Sequence, residues 1–260
     1  MGWTAYPGIE AVLNRLLAGC REILGDDLFG MYLFGSLASG GFDPDTSDID
    51  FVVVTRSAVG AETETALGHL NREIQAKGAP WAGLLEGSFL PLAAFADPPP
   101  AEALYPTIGM GGRFGRDHKG IERALLRHLL REDGIALAGP TPASFIAPVS
   151  AEALRQETRD LLSDWWAPQL DDPTRLRRRG YQAYAVLTMC RALHTLETGG
   201  MASKPQAAHW ARQRLPDRWH GLIDRAGAWK ADDGVDDLAA TLDLIRHVIT
   251  TLPATSQSLP

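Results

Sequence analysis

The sequence predicts an α/β half followed by an all-α helical bundle, and three observations carry that reading. Apolar runs of strand length alternate with helix-period stripes as far as Ala138. The stretch from Gly139 to Ser150 holds Pro140, Pro142, Pro148 and several small residues, which suits a boundary between domains. Every patterned segment beyond it has helical composition. The expected division is therefore 1–148 and 149–260.

Taken in order, Ile9, Val12, Leu13, Leu16, Leu17, Cys20 and Ile23 form a helix-period stripe between Gly8 and Leu24. Gly25-Asp26-Asp27 breaks it, and Leu28 to Phe34 reads as a strand ending in Gly35-Ser36. A second strand is expected from Ile49 to Thr55, a helix from Ala61 to Lys77 and a third strand from Leu84 to Leu92. Pro98-Pro99-Pro100 stops any regular element. Gly109 to Lys119 reads as a glycine-rich loop, whose His118 could contact substrate but, as a lone loop histidine, is expected to be uninvolved. A helix over Ile121 to Leu130 and a short strand at Ile135 to Ala138 complete the first half. Helices are then expected at 151–166, 175–198, 203–214, 217–229 and 235–251, a bundle of about five helices.

Composition limits the function. Lys and Arg number 25 against 32 Asp and Glu, a net charge of -7, the wrong sign for gripping nucleic-acid backbones. A cationic small substrate fits this balance, as does ordinary solubility. No apolar run approaches the roughly 20 residues of a membrane span. Cys20 and Cys190 lie in apolar helical patterns and read as buried thiols in a reducing cytosol. The start, MGWTAYPG, lacks the basic and apolar segments of a leader. The expectation is a cytoplasmic monomer with no nucleic-acid or membrane partner.

The words that carry chemistry are Gly35-Ser36 and Ser47-Asp48-Ile49-Asp50. Strand side chains alternate, so Asp48 and Asp50 share a face opposite Ile49 and Phe51. Two carboxylates side by side repel unless a hard, oxygen-seeking divalent cation sits between them and substrate phosphates, and Mg2+ is the natural occupant. Gly35 lets the backbone approach a phosphate, while Ser36 and nearby amides can donate to it. Glu86 stands in the otherwise apolar run Leu84 to Leu90, where a carboxylate is costly unless paired or working. Two roles are open to it: third metal ligand, or general base for an attacking hydroxyl. Lys204 follows Ser203, a good N-cap, so its ammonium sits at a helix start that also favours an anion. Arg191 shares a helix face with Thr188 and Tyr184.

Phe34-Gly35-Ser36 with Gly40-Gly41 and Ser47-Asp48-Ile49-Asp50 resembles the polymerase-beta-like nucleotidyltransferase superfamily. The C-terminal half is similar to the streptomycin/spectinomycin (aminoglycoside) adenylyltransferases at Leu187-Thr188-Met189-Cys190-Arg191-Ala192, at Thr198-Gly199-Gly200, at Lys204 to Ala211 and at Arg214-Leu215-Pro216. The resemblance implies a mixed-sheet nucleotidyltransferase domain followed by a helical domain, with ATP as co-substrate and Mg2+ as cofactor. It implies that Asp48 and Asp50 bind the metal and that Glu86 is the catalytic base. Gly35, Ser36, Ser47, Glu122, Arg191 and Lys204 would contact the nucleotide, and Tyr181 and Tyr184 are candidates for substrate contact.

One region departs from the family. Streptomycin-binding members carry a Trp and acidic side chains where this chain has Asp171 to Tyr181, with arginines at 175, 177, 178 and 179. A desolvated cationic drug would be repelled there, which favours a spectinomycin-like acceptor over streptomycin. Three readings of the arginines stay open: a solvated helix face, an aid to triphosphate binding, or recognition of an acidic or neutral substrate. Trp165 and Trp166 read as packing residues. The expected reaction is attack of a small-molecule hydroxyl on the α-phosphorus of ATP, most plausibly from an aminoglycoside or aminocyclitol antibiotic. The alternatives are adenylylation of another metabolite, a protein-directed transferase of the antitoxin type, and a non-catalytic nucleotide-binding module. The intact Asp48, Asp50 and Glu86 argue against the last.

Overall fold

The computed structural model describes residues 2–44, 47–76, 81–96, 104–117, 124–230 and 236–251. The chain folds as two compact units, Met1–Val149 and Ser150–Pro260.

The first unit runs α1 (Pro7–Leu24), β1 (Leu28–Leu33), α2 (Gly35–Ala38), β2 (Ile49–Thr55), α3 (Ala61–Ala76), β3 (Leu85–Pro91), α4 (Ala93–Ala96), β4 (Tyr105–Gly109), β5 (Arg113–Asp117), α5 (Ala124–Asp133) and β6 (Ile135–Ala138). Its six strands form one sheet in the order β5-β4-β3-β2-β1-β6. The β2–β3 pair is parallel and every other pair is antiparallel. A parallel neighbour needs a crossover, and α3 supplies it.

Both faces of the central strands are covered. Ile49, Phe51 and Val53 of β2 join Leu85 and Phe89 of β3 in a core with the α1 stripe and with Leu67 and Ile74 of α3. On the opposite face, Val52 and Val54 meet Tyr32, Leu90, Phe95, Leu130 and Ile146. Two-sided burial explains why β2 reads as an unbroken valine run. Removing Phe51 from water stabilises the unit by about 1.5–3 kcal/mol. The pattern ends at the start of β2, where Ile49 is buried but Asp48 is exposed and Asp50 half-buried.

The glycine-rich loop expected from 109 to 119 is instead a hairpin. Gly111 and Gly112 take left-handed φ values of 70° and 71°, a turn that side chains resist, and β5 returns antiparallel along β4. Periodicity misses β5 because it is a polar edge strand; the Arg116 guanidinium forks onto Glu64 of α3 at 2.6–3.0 Å. His118 lies outside the described residues.

The second unit contains α6 (Ala151–Leu161), a π-helical turn (Leu162–Trp166), α7 (Pro168–Asp171), a 3-10 turn (Arg175–Arg177), α8 (Arg179–Thr198), α9 (Lys204–Arg212), α10 (His220–Gly227) and α11 (Leu238–Thr250). Val186, Met189 and Cys190 of α8 pack with Leu222, Ile223, Leu244, Ile245 and Val248. The segment expected as one helix over 175–198 is split, because Arg178 is extended and the Gln182 amide donates to the Leu176 carbonyl at 2.8 Å across the break. The segment expected over 151–166 ends in the π turn, where the Ala167 N–H donates to the Leu162 carbonyl at 2.9 Å. That wider turn directs Trp166 inward, 3% exposed, and Trp165 outward, 43% exposed. No helix among the described residues is long and apolar enough to cross a membrane.

Candidate active site

Two strands bring Asp50 and Glu86 together in the first unit. Parallel pairing of β2 with β3 sets Asp50 directly opposite Glu86. Adjacent strands lie about 4.8 Å apart, so the two carboxylates face the same side as neighbours. Such a pair raises its own electrostatic cost unless a cation or a shared proton intervenes. Asp48 immediately precedes β2 and is exposed.

The turn after β1 closes over this pair. The Phe34 N–H donates to the Asp50 carbonyl at 3.1 Å, which ties the end of β1 to β2. Gly35 follows with φ +68°, and a Cβ built on it would lie 2.1 Å from Asp50 Oδ2. Only glycine admits this contact between backbone and carboxylate. The single turn of α2 is closed by the Ser39 N–H on the Gly35 carbonyl and the Gly41 N–H on the Ser36 carbonyl, both at 3.0 Å. Ser36 is half-buried on that turn. The Ser47 hydroxyl accepts from the Asp43 N–H at 3.0 Å, while its own N–H donates to the Asp43 carbonyl at 2.9 Å. A hydroxyl that accepts keeps a proton to donate.

In the second unit, Tyr184, Thr188 and Arg191 follow one another along one face of α8. Lys204 opens α9, whose start is fixed by a capping box: the Gln206 N–H donates to Ser203 Oγ, and the Ser203 N–H donates to Gln206 Oε1 at 3.0 Å. Lys204 Nζ lies 5.5 Å from the centroid of the Tyr184 ring. Tyr184 in turn contacts Tyr181 and Trp166 at centroid distances of 5.5 and 6.0 Å. The fold thus unites Tyr181, Tyr184 and Lys204, and adds Trp166, which sequence reasoning treated only as packing. The i, i+3 spacing of the two tyrosines was the available signal for half of this cluster; the tryptophan's arrival through a π turn left none. Glu122 lies outside the described residues.

The arginines at 175, 177, 178 and 179 are all exposed. The Arg175 guanidinium lies 4.9 Å over the Trp165 ring. Asp172 is held below the usual carboxylate range by the Thr174 hydroxyl and N–H and then by Arg177. Gln182, the Leu238 N–H and then Arg179 do the same for Asp236. The cluster therefore has acidic neighbours of its own.

Two family models match. The nucleotidyltransferase domain matches residues 13–86, and the C-terminal domain of aminoglycoside adenylyltransferase matches residues 145–254. In both halves the chain is similar to the aminoglycoside adenylyltransferases. It is an enzyme of the nucleotidyltransferase type. An aminoglycoside (3'') (9) adenylyltransferase from Escherichia coli is 26% identical, covering 92% of this chain and 94% of that one. A spectinomycin 9-adenylyltransferase from Staphylococcus aureus is 26% identical over 79% of each chain. In fold, the chain is similar to the crystal structure of a spectinomycin adenyltransferase from Enterococcus faecialis with ATP and spectinomycin, with a TM-score of 0.72 and 17% identity over 92% of this chain and 98% of that one. The first matched span contains Gly35, Ser36, Ser47, Asp48, Asp50 and Glu86; the second contains Tyr181, Tyr184, Arg191 and Lys204.

Among the described residues no group of three or more His, Cys, Asp or Glu side chains forms a ready metal cage. Magnesium is bound through one or two carboxylates and completes its shell with water and substrate phosphates. The all-oxygen donors Asp48 and Asp50, crowded by the Gly35 backbone on one side and Glu86 on the other, fit such an ion.

Proposed function

We propose that the enzyme transfers AMP from ATP to a hydroxyl of a small-molecule antibiotic, an aminocyclitol of the spectinomycin kind before streptomycin. The observation that carries the chemistry is the Asp50–Glu86 register pair beneath the Gly35 turn. Asp48 and Asp50 would hold Mg2+, which would supply positive charge for the triphosphate. Ser36, Ser47 and the amides of the turn donate to phosphate oxygens. Glu86 takes the proton of the attacking hydroxyl. Arg191 and Lys204, both on the helical unit, carry positive charge of the kind a triphosphate attracts.

The names and activities of the relatives support an antibiotic acceptor, and the four arginines, in place of acidic side chains, favour the less cationic one. The test is incubation with labelled ATP, Mg2+ and a panel of aminoglycosides and aminocyclitols, reading pyrophosphate release and adenylylated product. Turnover with spectinomycin and not with streptomycin is expected. Absence of turnover with every drug would remove the antibiotic reading and leave the nucleotidyltransferase chemistry standing.

A further inference from the structure

We infer that Tyr184 is a positioning residue for the nucleotide: its ring holds the Lys204 ammonium in place for the triphosphate. The inference rests on the reading of Lys204 as a nucleotide contact. Lysine is a flexible point charge on four methylenes, so ordering it costs side-chain entropy unless something fixes the head group. Two features do so here. The capping box at Ser203 and Gln206 locks the backbone from which the side chain leaves. The Tyr184 ring, 5.5 Å from Nζ, offers its negative face to the ammonium.

The ring is itself held. Trp166, 3% exposed, and Tyr181 contact it at 6.0 and 5.5 Å with tilts of 35° and 38°, so it cannot swing away without breaking aromatic packing. Tyr184 nevertheless remains 44% exposed, and Lys204 beside it is exposed as well. The assembly from Trp166 through Tyr184 to Lys204 spans three elements of the helical unit and sets a cation at the start of a helix, where the backbone also favours an anion.

The experiment measures Mg-ATP affinity by calorimetry for the wild type, Tyr184→Phe, Tyr184→Leu, Lys204→Ala and the Tyr184→Leu/Lys204→Ala double variant. In parallel, the NMR shift of the Lys204 side-chain protons reports the ring contact whether or not ATP binds. A cation over an exposed ring is worth about 0.5–1 kcal/mol, a factor of roughly two to five in affinity. Tyr184→Leu is expected to weaken ATP by that factor and to abolish the ring-current shift. Tyr184→Phe should keep both, and Tyr184→Leu should add nothing in the Lys204→Ala background. Unchanged affinity in Tyr184→Leu, equal loss in Tyr184→Phe, or an effect that persists without Lys204 overturns the positioning role. If Lys204→Ala binds ATP like the wild type while the ring-current shift is present, the nucleotide reading of Lys204 fails and the positioning role falls with it.

Discussion

Replacing Gly35 by alanine tests the closure of the turn over Asp50 with an internal control. The new Cβ would sit 2.1 Å from Asp50 Oδ2, whereas ordinary contact begins at 3.4 Å, so the two groups must separate by 3.4 − 2.1 = 1.3 Å. The backbone at φ +68° adds a left-handed penalty of about 1–2 kcal/mol. Gly40→Ala isolates that penalty, since Gly40 has φ +75° and nothing within 4 Å of its Cβ. Both variants should lose about 1–2 kcal/mol in denaturant unfolding. Only Gly35→Ala moves the carboxylate, and displacements of this order cost on the order of 100-fold in rate. The assay is kcat/KM for pyrophosphate release with an acceptor on which the wild type turns over. Equal kcat/KM for the two alanine variants would show that the Gly35–Asp50 contact does not set the geometry of the site.

Asp50→Asn should abolish Mg-dependent turnover, and retained pyrophosphate release would refute the metal assignment. Glu86→Gln should leave ATP affinity by calorimetry intact while stopping transfer; lost ATP binding would mark Glu86 as a metal ligand instead. Ser203→Ala removes the N-cap of α9 and should cost about 1 kcal/mol in thermal or denaturant unfolding. Burial pushes the Cys20 thiol from 9.0 up to about 12. The folded state therefore keeps a proton that the unfolded state releases, and this contribution, full below pH 9.0, is lost as pH rises from 9.0 towards about 12. Stability should fall across that window, and Cys20 should resist alkylation at pH 8 until denaturant is added, as read by mass spectrometry.

The sequence made the sheet legible where burial is patterned. The boundaries of β2 and β6 follow from apolar runs between turn residues, and the α1 stripe reappears in the core from Ile9 to Cys20, with Leu24 buried in place of the expected Ile23. β5 was illegible because an edge strand with polar side chains carries no alternation. The break at Arg178 was equally hidden, since a single extended residue between two helical turns is set by the tertiary bond from Gln182 to Leu176. At the site, the separation of Asp50 from its buried neighbours Ile49 and Phe51 was readable from strand alternation. That Asp50 faces Glu86 was not, because the register between strands joined by a crossover is set by their packing and leaves no trace in either strand's own pattern. The Tyr184–Lys204 contact joins residues of different helices and leaves no periodic trace.

The parallel pairing of β2 with β3 has one more consequence, for which changes in length the gene can bear. The loops flanking α3 can lengthen or shorten without altering which residues of β2 and β3 stand opposite each other, since a crossover constrains only its end points. A one-residue insertion between Leu85 and Glu86 is different: in the unchanged register the inserted residue would stand opposite Asp50 and Glu86 would move to the level of Phe51, on the core face. Deletion tolerance should therefore be high around the crossover helix and vanish within the first residues of β3.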